Sequence, residues 1–222
     1  MEAGFDLDAC FDLANRVDDL IEERVEYAFD EQIGYLTCCP TNVGTGMRAS
    51  VMVHLPALTM SGTVNQIIDS LAQLGVTVRG IFGEGSKAAG NIYQISNQLT
   101  LGASEEDILD KFKQIIGEVI GKEREMRTRL YHADKFKLED RLMRSYGVLC
   151  HAVILSSNEA MKRLSDVRLG VELGLIQNVK LEQINAVTYE ILPANIVQKY
   201  NLSDADERDL KRAEIVRERM CS

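Results

Sequence analysis

A chain of 222 residues with 45% hydrophobic residues, three prolines and a formal net charge of -9 has the material for a packed core in one large domain or two modest ones. The negative balance excludes nonspecific binding to nucleic acid or to anionic membranes, both of which depend on clustered Lys and Arg, so any anion site is local. There is no apolar run long enough for a bilayer, and the acidic stretch from Met1 to Asp8 is unlike the basic, then apolar, start of a signal peptide; a cytoplasmic address is expected.

In chain order, Leu13, Val17, Leu20, Ile21 and Ala28 recur at helical spacing and predict an amphipathic helix that ends before Gly34. Tyr35 to Cys39 reads as a short strand. Met47 to Leu55 alternates, with Arg48, Ser50, Met52 and His54 on one face and Met47, Ala49, Val51, Val53 and Leu55 on the core face. Ser61 is a candidate cap for a helix with Val64, Ile67, Ile68 and Leu71 inward, followed by strands over Gly75–Phe82 and Asn91–Gln98. Ser104 with Asp107 resembles a capping box for a helix that runs to about His132, with Ile108, Phe112, Ile115, Ile116, Val119 and Ile120 as its apolar stripe. Beyond Lys135 the pattern is helical throughout: Leu138–Leu155, Ser157–Leu164, Ser165–Leu175 and Leu181–Leu192, an interruption at Pro193, and a last helix capped by Ser203 with Asp206. The fold class is α+β, an antiparallel sheet flanked by helices, with residues 1–133 as one domain and 134–222 as a helical second module.

Two segments carry candidate chemistry. Cys39-Pro40-Thr41-Asn42-Val43-Gly44-Thr45-Gly46 is a polar turn after a cysteine, followed at once by Arg48-Ala49-Ser50-Val51-Met52; Arg79-Gly80-Ile81-Phe82-Gly83-Glu84-Gly85-Ser86 sets a second arginine and a carboxylate among glycines. Phosphoryl transfer needs cations aimed at phosphate oxygens and a group that positions the nucleophile. Arginine's planar fork suits the first task, so Arg48 and Arg79, expected on neighbouring strands, would form a clamp. Glu84 would hold a guanidinium in line and help to accept its proton, and a Cys39 thiolate would orient it electrostatically. Taken singly, a strand arginine is most often a surface ion-pair residue, and the last helix is as easily a solvated charged face. The five cysteines, with Cys38 and Cys39 adjacent and no C-x-x-C pair, fit neither a disulfide framework nor a zinc site and read as reduced thiols, Cys38 as a small buried hydrophobe. His54, His132 and His151 are scattered, read as structural or exposed, and no metal site is expected.

Four motifs in order, the Cys39–Gly46 turn, the Arg48-Ala49-Ser50-Val51 strand, the Val78–Glu84 segment and Asn91-Ile92-Tyr93-Gln94-Ile95-Ser96-Asn97, resemble the catalytic half of the ATP:guanido phosphotransferases, the phosphagen kinase family of arginine and creatine kinases. Gly83-Glu84-Gly85-Ser86 and the helical continuation are similar to the bacterial branch that phosphorylates arginine side chains in proteins. The resemblance implies a glutamine-synthetase-like catalytic domain using ATP with Mg2+. Arg48 to Met52 and Arg79 to Glu84 would line the nucleotide site, and Glu84 and Cys39 would serve the guanidinium. Arg208-Asp209-Leu210-Lys211-Arg212-Ala213 matches that branch's allosteric phosphoarginine motif, with Arg208, Asp209, Arg212 and Ala213 as its carriers. Implied partners are proteins with exposed arginines, a heat-shock repressor, an activator protein and an AAA+ protease in a stress-response setting, with a homodimer as the assembly.

The family's Ser-Arg-x-Arg and Asn-Glu-x-Asp-His patterns are absent from the 222 residues. The chain is therefore expected to be a C-terminal piece with little kinase activity alone and an exposed sheet edge prone to association. A non-catalytic phosphoarginine-binding module and a kinase for free arginine are the alternatives.

Overall fold

The computed structural model describes residues 4–80 and 88–221. Among these the helices are α1 (Leu7–Glu22), α2 (Pro56–Met60), α3 (Val64–Gln73), α4 (Glu105–Ala133), α5 (Lys135–His151), α6 (Ser157–Glu172), α7 (Leu181–Glu190), α8 (Pro193–Tyr200) and α9 (Ala205–Met220). The strands are β1 (Phe29–Asp30), β2 (Gly34–Tyr35), β3 (Ser50–His54), β4 (Val76–Gly80) and β5 (Ile92–Asn97). No helix among the described residues is long and apolar enough to cross a membrane. The class is α+β, as the alternation and the helical stripes predict. The chain packs as two units, described separately below: residues 4–53, 62–80 and 93–122, and residues 54–61, 88–92 and 123–221.

In the first unit β1 and β2 form a hairpin, and a three-stranded sheet has the order β3-β5-β4. β4 and β5 are antiparallel, with Arg79 opposite Gln94 and Thr77 opposite Ser96. The expectation that Arg48 and Arg79 stand on neighbouring strands is corrected: β5 lies between them, because the crossover through α3 leaves the central place to the later strand. One side of the sheet carries the buried Val76, Tyr93 and Ile95, and α4 buries Ile108, Phe112, Ile115, Ile116 and Val119, the stripe read from sequence. Its start is capped as expected, Asp107 N–H donating to Ser104 Oγ at 3.1 Å. α1 ends at Glu22, short of the expected length. Tyr27 folds back so that its hydroxyl bonds Asp18 at 2.8 Å, and Ala28 C=O accepts from Leu36 N–H in the hairpin. Its apolar stripe, Leu13, Val17, Leu20 and Ile21, is exposed. Ser61 is a further correction: it closes α2, its hydroxyl donating to Leu58 C=O at 3.0 Å, while α3 begins at Val64 behind Thr63. Cys38 is exposed, not buried.

In the second unit α5 packs on α6 and on α9, with Leu142, Leu149, Leu164, Val167, Ile184, Ile191 and Val216 buried between elements. The segments Ser157–Leu164 and Ser165–Leu175 are one helix, α6, since Ser165 faces inward and finds polar partners there. Pro193 starts α8 at its first turn, where its missing N–H costs nothing. Asp204, rather than Ser203, caps α9, accepting from Asp206 and Glu207 N–H at 2.9 and 3.1 Å. Cys150, in the last turn of α5, and Cys221, at the end of α9, form a disulfide with Cα atoms 5.6 Å apart. This corrects the reading of five reduced thiols. The 71-residue separation hides the pair from spacing arguments.

Candidate active site

The sequence from Cys39 to Ala49 is held at both ends to the tail of β5. At one end Thr100, buried, donates its hydroxyl to Thr41 and Val43 C=O at 3.0 and 2.8 Å, and its own carbonyl accepts from Thr45 N–H at 2.9 Å. Gly44 is required here: at φ +110° a Cβ would lie 2.2 Å from Thr100 O. At the other end the Asn97 side chain substitutes for a strand, accepting from Ala49 N–H at 2.8 Å and donating to Met47 C=O at 3.2 Å. Asn97 N–H donates to Ala49 C=O at 3.2 Å and Leu55 N–H to Asn91 C=O at 2.9 Å, so β3 runs antiparallel to β5.

Within this frame the exposed Cys39 precedes a 3-10 turn at Pro40–Asn42, its Sγ 3.0 Å from Thr41 Oγ1, while Thr37 Oγ1 donates to Cys39 C=O at 2.7 Å. Arg48 is exposed and donates from Nη2 to Ser96 Oγ at 3.1 Å; Gln94 Nε2 reaches Ser50 Oγ at 3.4 Å. Directly opposed residues of an antiparallel pair share a face. Arg79, opposite Gln94, therefore stands on the same face as Arg48, Ser50 and Ser96, one on each side of β5. Ala49 is buried on the core side, Val51 and Met52 are half-buried, and Gly80 ends β4 buried. The candidates Ile81, Phe82, Gly83 and Glu84 lie outside the described residues. The supporting roles of Ser96, Asn97 and Thr100 escape sequence reasoning, because they act on residues 48 to 59 positions away.

The second constellation is on α9. Arg212 is buried at 1% exposure, its Nε donating to Ile191 C=O at 3.0 Å and its Nη1 to Leu155 C=O at 2.9 Å and to Asp209 Oδ1. Arg208 is half-buried, with Nη1 donating back to Ser203 C=O. Asp209 is half-buried and Ala213 fully buried. The structure thus joins Asp209 to Arg212 and turns the fork of Arg208 toward the start of its own helix.

A third polar cluster surrounds His54, which in the sequence is only one of three scattered histidines. His54 is buried, its Nε2 2.8 Å from Ser165 Oγ, which also accepts from Asn91 Nδ2 at 2.8 Å. Burial lowers the His54 pKa from 6.5 to about 4, and Arg168 and Arg127 act in the same direction against Glu172, whose Oε2 is 3.9 Å from Nδ1. Burial pushes Glu172 upward, but the His54 ring, Arg127 and Arg168 outweigh it and hold its pKa near about 2. Arg127 ties the cluster together through Glu172, His54 C=O and Glu123. The Glu123 carboxylate accepts from Ala57 and Leu58 N–H at 3.0 Å each.

The model of the ATP:guanido phosphotransferase C-terminal catalytic domain matches residues 1–126, over half of the sequence. The chain belongs to the ATP:guanido phosphotransferase family. A second model, that of the protein-arginine kinase McsB C-terminal domain, matches residues 135–222. Over 219 residues the chain is 52% identical to a protein-arginine kinase of Clostridium kluyveri, covering 98% of this chain and 63% of that one. It is 50% identical to one of Caldanaerobacter subterraneus over 214 residues (96% and 63%) and to one of Bacillus subtilis over 219 residues (98% and 60%). It therefore spans about three fifths of the length of these curated relatives. A crystal structure of lombricine kinase aligns with a TM-score of 0.47 at 30% identity, over 55% of this chain and 34% of that one. Cys39, Arg48 and Arg79 fall in the segment matched by the guanido phosphotransferase model, and Arg208 to Ala213 in the segment matched by the second.

Proposed function

We propose that this chain carries the nucleotide- and guanidinium-handling part of an ATP-dependent protein arginine kinase of the cytoplasm, regulated by phosphoarginine at Arg208, Asp209, Arg212 and Ala213. The observation that carries the reading is the pair Arg48 and Arg79 on one face of the sheet, one on either side of β5, in a chain of this family. Arg79 stands level with Gln94 whereas the fork of Arg48 reaches Ser96, so the two cations are set on either side of β5 and staggered along the same face. Polar Ser50, Gln94 and Ser96 lie on that face, so an anion there meets donors. The residues fit a polyphosphate; ATP with Mg2+ would supply the transferable phosphoryl group and part of the charge neutralisation.

Arg48 and Arg79 hold phosphate oxygens and favour the charge that grows on them during transfer. Glu84 accepts hydrogen bonds from the incoming guanidinium and takes its proton, and Cys39 fixes the same group from a turn made rigid by Thr100. The names of the relatives support arginine in proteins as the acceptor.

Titration of the chain with magnesium–ADP tests the nucleotide half. Arg48→Ala and Arg79→Ala should each weaken binding on the order of tenfold, the loss of one charge-assisted contact; unchanged affinity in both overturns the assignment. For the acceptor, phosphoarginine on a basic protein is read by mass spectrometry, with free arginine as competitor. Efficient competition by free arginine would make the small molecule the substrate.

A further inference from the structure

The segment that leaves α5 runs beside α9 in the opposite direction, and four contacts fix the register. Cys150 is bonded to Cys221, Ala152 C=O accepts from Arg217 Nη1, Leu155 C=O accepts from Arg212 Nη1 at 2.9 Å, and Leu155 N–H donates to Asp209 C=O at 3.1 Å. Advancing from 150 to 155 thus retreats along α9 from 221 to 209. The disulfide closes one end of this strut, and Asp209 with Arg212 forms the other.

From this arrangement we infer that Cys150 and Cys221 form a reversible redox clasp, a thiol–disulfide modification site whose state sets how firmly α9 is held and, through it, the affinity of the Arg208–Asp209–Arg212 constellation for phosphoarginine. The last step rests on the binding role given to that constellation under Proposed function.

Cys221 is exposed and follows Met220, the last residue of α9, where helix fraying is easiest; Cys150 is half-buried. Exchange therefore begins at the Cys221 sulfur. To close the clasp, the Cys221 thiolate attacks an oxidised low-molecular-weight or protein disulfide and expels one thiolate. Cys150, as thiolate, then attacks the mixed disulfide at Cys221 and expels the second. Two protein thiols and one external disulfide become one protein disulfide and two external thiols, and a dithiol reductant reverses the sum. In a reducing compartment a bond of this kind is transient rather than a permanent staple.

The test uses the full chain after glutathione disulfide and after dithiothreitol. Alkylation under denaturing conditions should label three cysteines in the oxidised form and all five in the reduced form. Thermal unfolding followed by circular dichroism should shift down by about 10 °C on reduction, from the loss of one long-loop cross-link. Calorimetry with free phosphoarginine should show affinity falling on the order of fivefold on reduction, and Cys221→Ser should match the reduced protein under both conditions. Five labelled cysteines after oxidation overturn the clasp, and so does a melt that ignores redox state. A shifted melt with equal phosphoarginine affinity overturns the coupling. Absence of phosphoarginine binding in both forms, with the melt still shifted, overturns the binding role of the α9 arginines and leaves the redox control of α9 supported.

Discussion

Arg48 and Arg212 are both arginines in recognisable motifs, and their surroundings are opposite. Arg48 is exposed on the sheet face and donates to a neutral hydroxyl, that of Ser96. Arg212 is enclosed, its guanidinium spread over two backbone carbonyls and a carboxylate. The same division runs through the two units. Polar groups of the sheet face are presented outward on a frame of buried Asn97 and Thr100, whereas those of the helical unit, Arg212, Glu123, Asp166 and His54, are taken inside and matched to one another. An arginine that meets a ligand directly keeps its N–H groups available; Arg212, whose Nε and Nη1 are taken by the protein, serves the α9 constellation by holding Asp209 and the helix in place.

The largest break in this comparison is expected at Arg212. Arg212→Ala would leave the carbonyls of Leu155 and Ile191 without their charged donor inside a packed interior and open a cavity, a loss of about 4 kcal/mol in urea unfolding. Arg212→Lys keeps the charge but not the fork, and should recover only part of it. A loss under about 1 kcal/mol for Arg212→Ala would mean that the buried fork is not structural.

Next in size is the buried histidine. His54 titrates near about 4 when folded against 6.5 when unfolded, so between those values the unfolded chain binds the extra proton and stability falls as the pH is lowered. The full drop from pH 6.5 to 4 corresponds to roughly 3 kcal/mol at 1.36 kcal/mol per pKa unit. Glu172, held near about 2 against 4.5, adds a further loss below pH 4.5, where its unfolded form takes up a proton first. Urea unfolding of wild type and His54→Gln at a series of pH values tests this. Gln keeps a partner for Ser165 but does not titrate, so the slope between pH 6.5 and 4.5 should disappear, and an unchanged slope there would place the proton elsewhere.

What sequence could show depended on whether a residue's partner was near in the chain. The α4 stripe and the Ser104–Asp107 cap are local, and both are legible. The shared face of Arg48 and Ser50 follows from the period of a strand. The central place of β5 does not, since chain order leaves the spatial order of three strands open. A serine such as Ser165 looks like a helix break until its buried partners His54 and Asn91 are known. Two charged residues four apart on α9 suggest a pair of open forks, and only the approach of Leu155 and Ile191, 57 and 21 positions away, shows that one is enclosed. Cys150 and Cys221 belong to the same class of long-range facts.

The smallest expected effect sharpens the comparison most. Arg48→Ala removes one hydrogen bond to Ser96 at an exposed position, so the unfolding free energy should move by less than about 1 kcal/mol. The same substitution takes away one of the two cations placed on the sheet face among the described residues and should weaken magnesium–ADP binding. At Arg212 the order is reversed, with stability lost first and any change in ligand affinity following from it. Measuring both quantities on both variants places each arginine on one side of the division. A several-kcal/mol loss at Arg48 would put it with Arg212 among residues that hold the fold, and the sheet face would then lack the open cation that a phosphate requires.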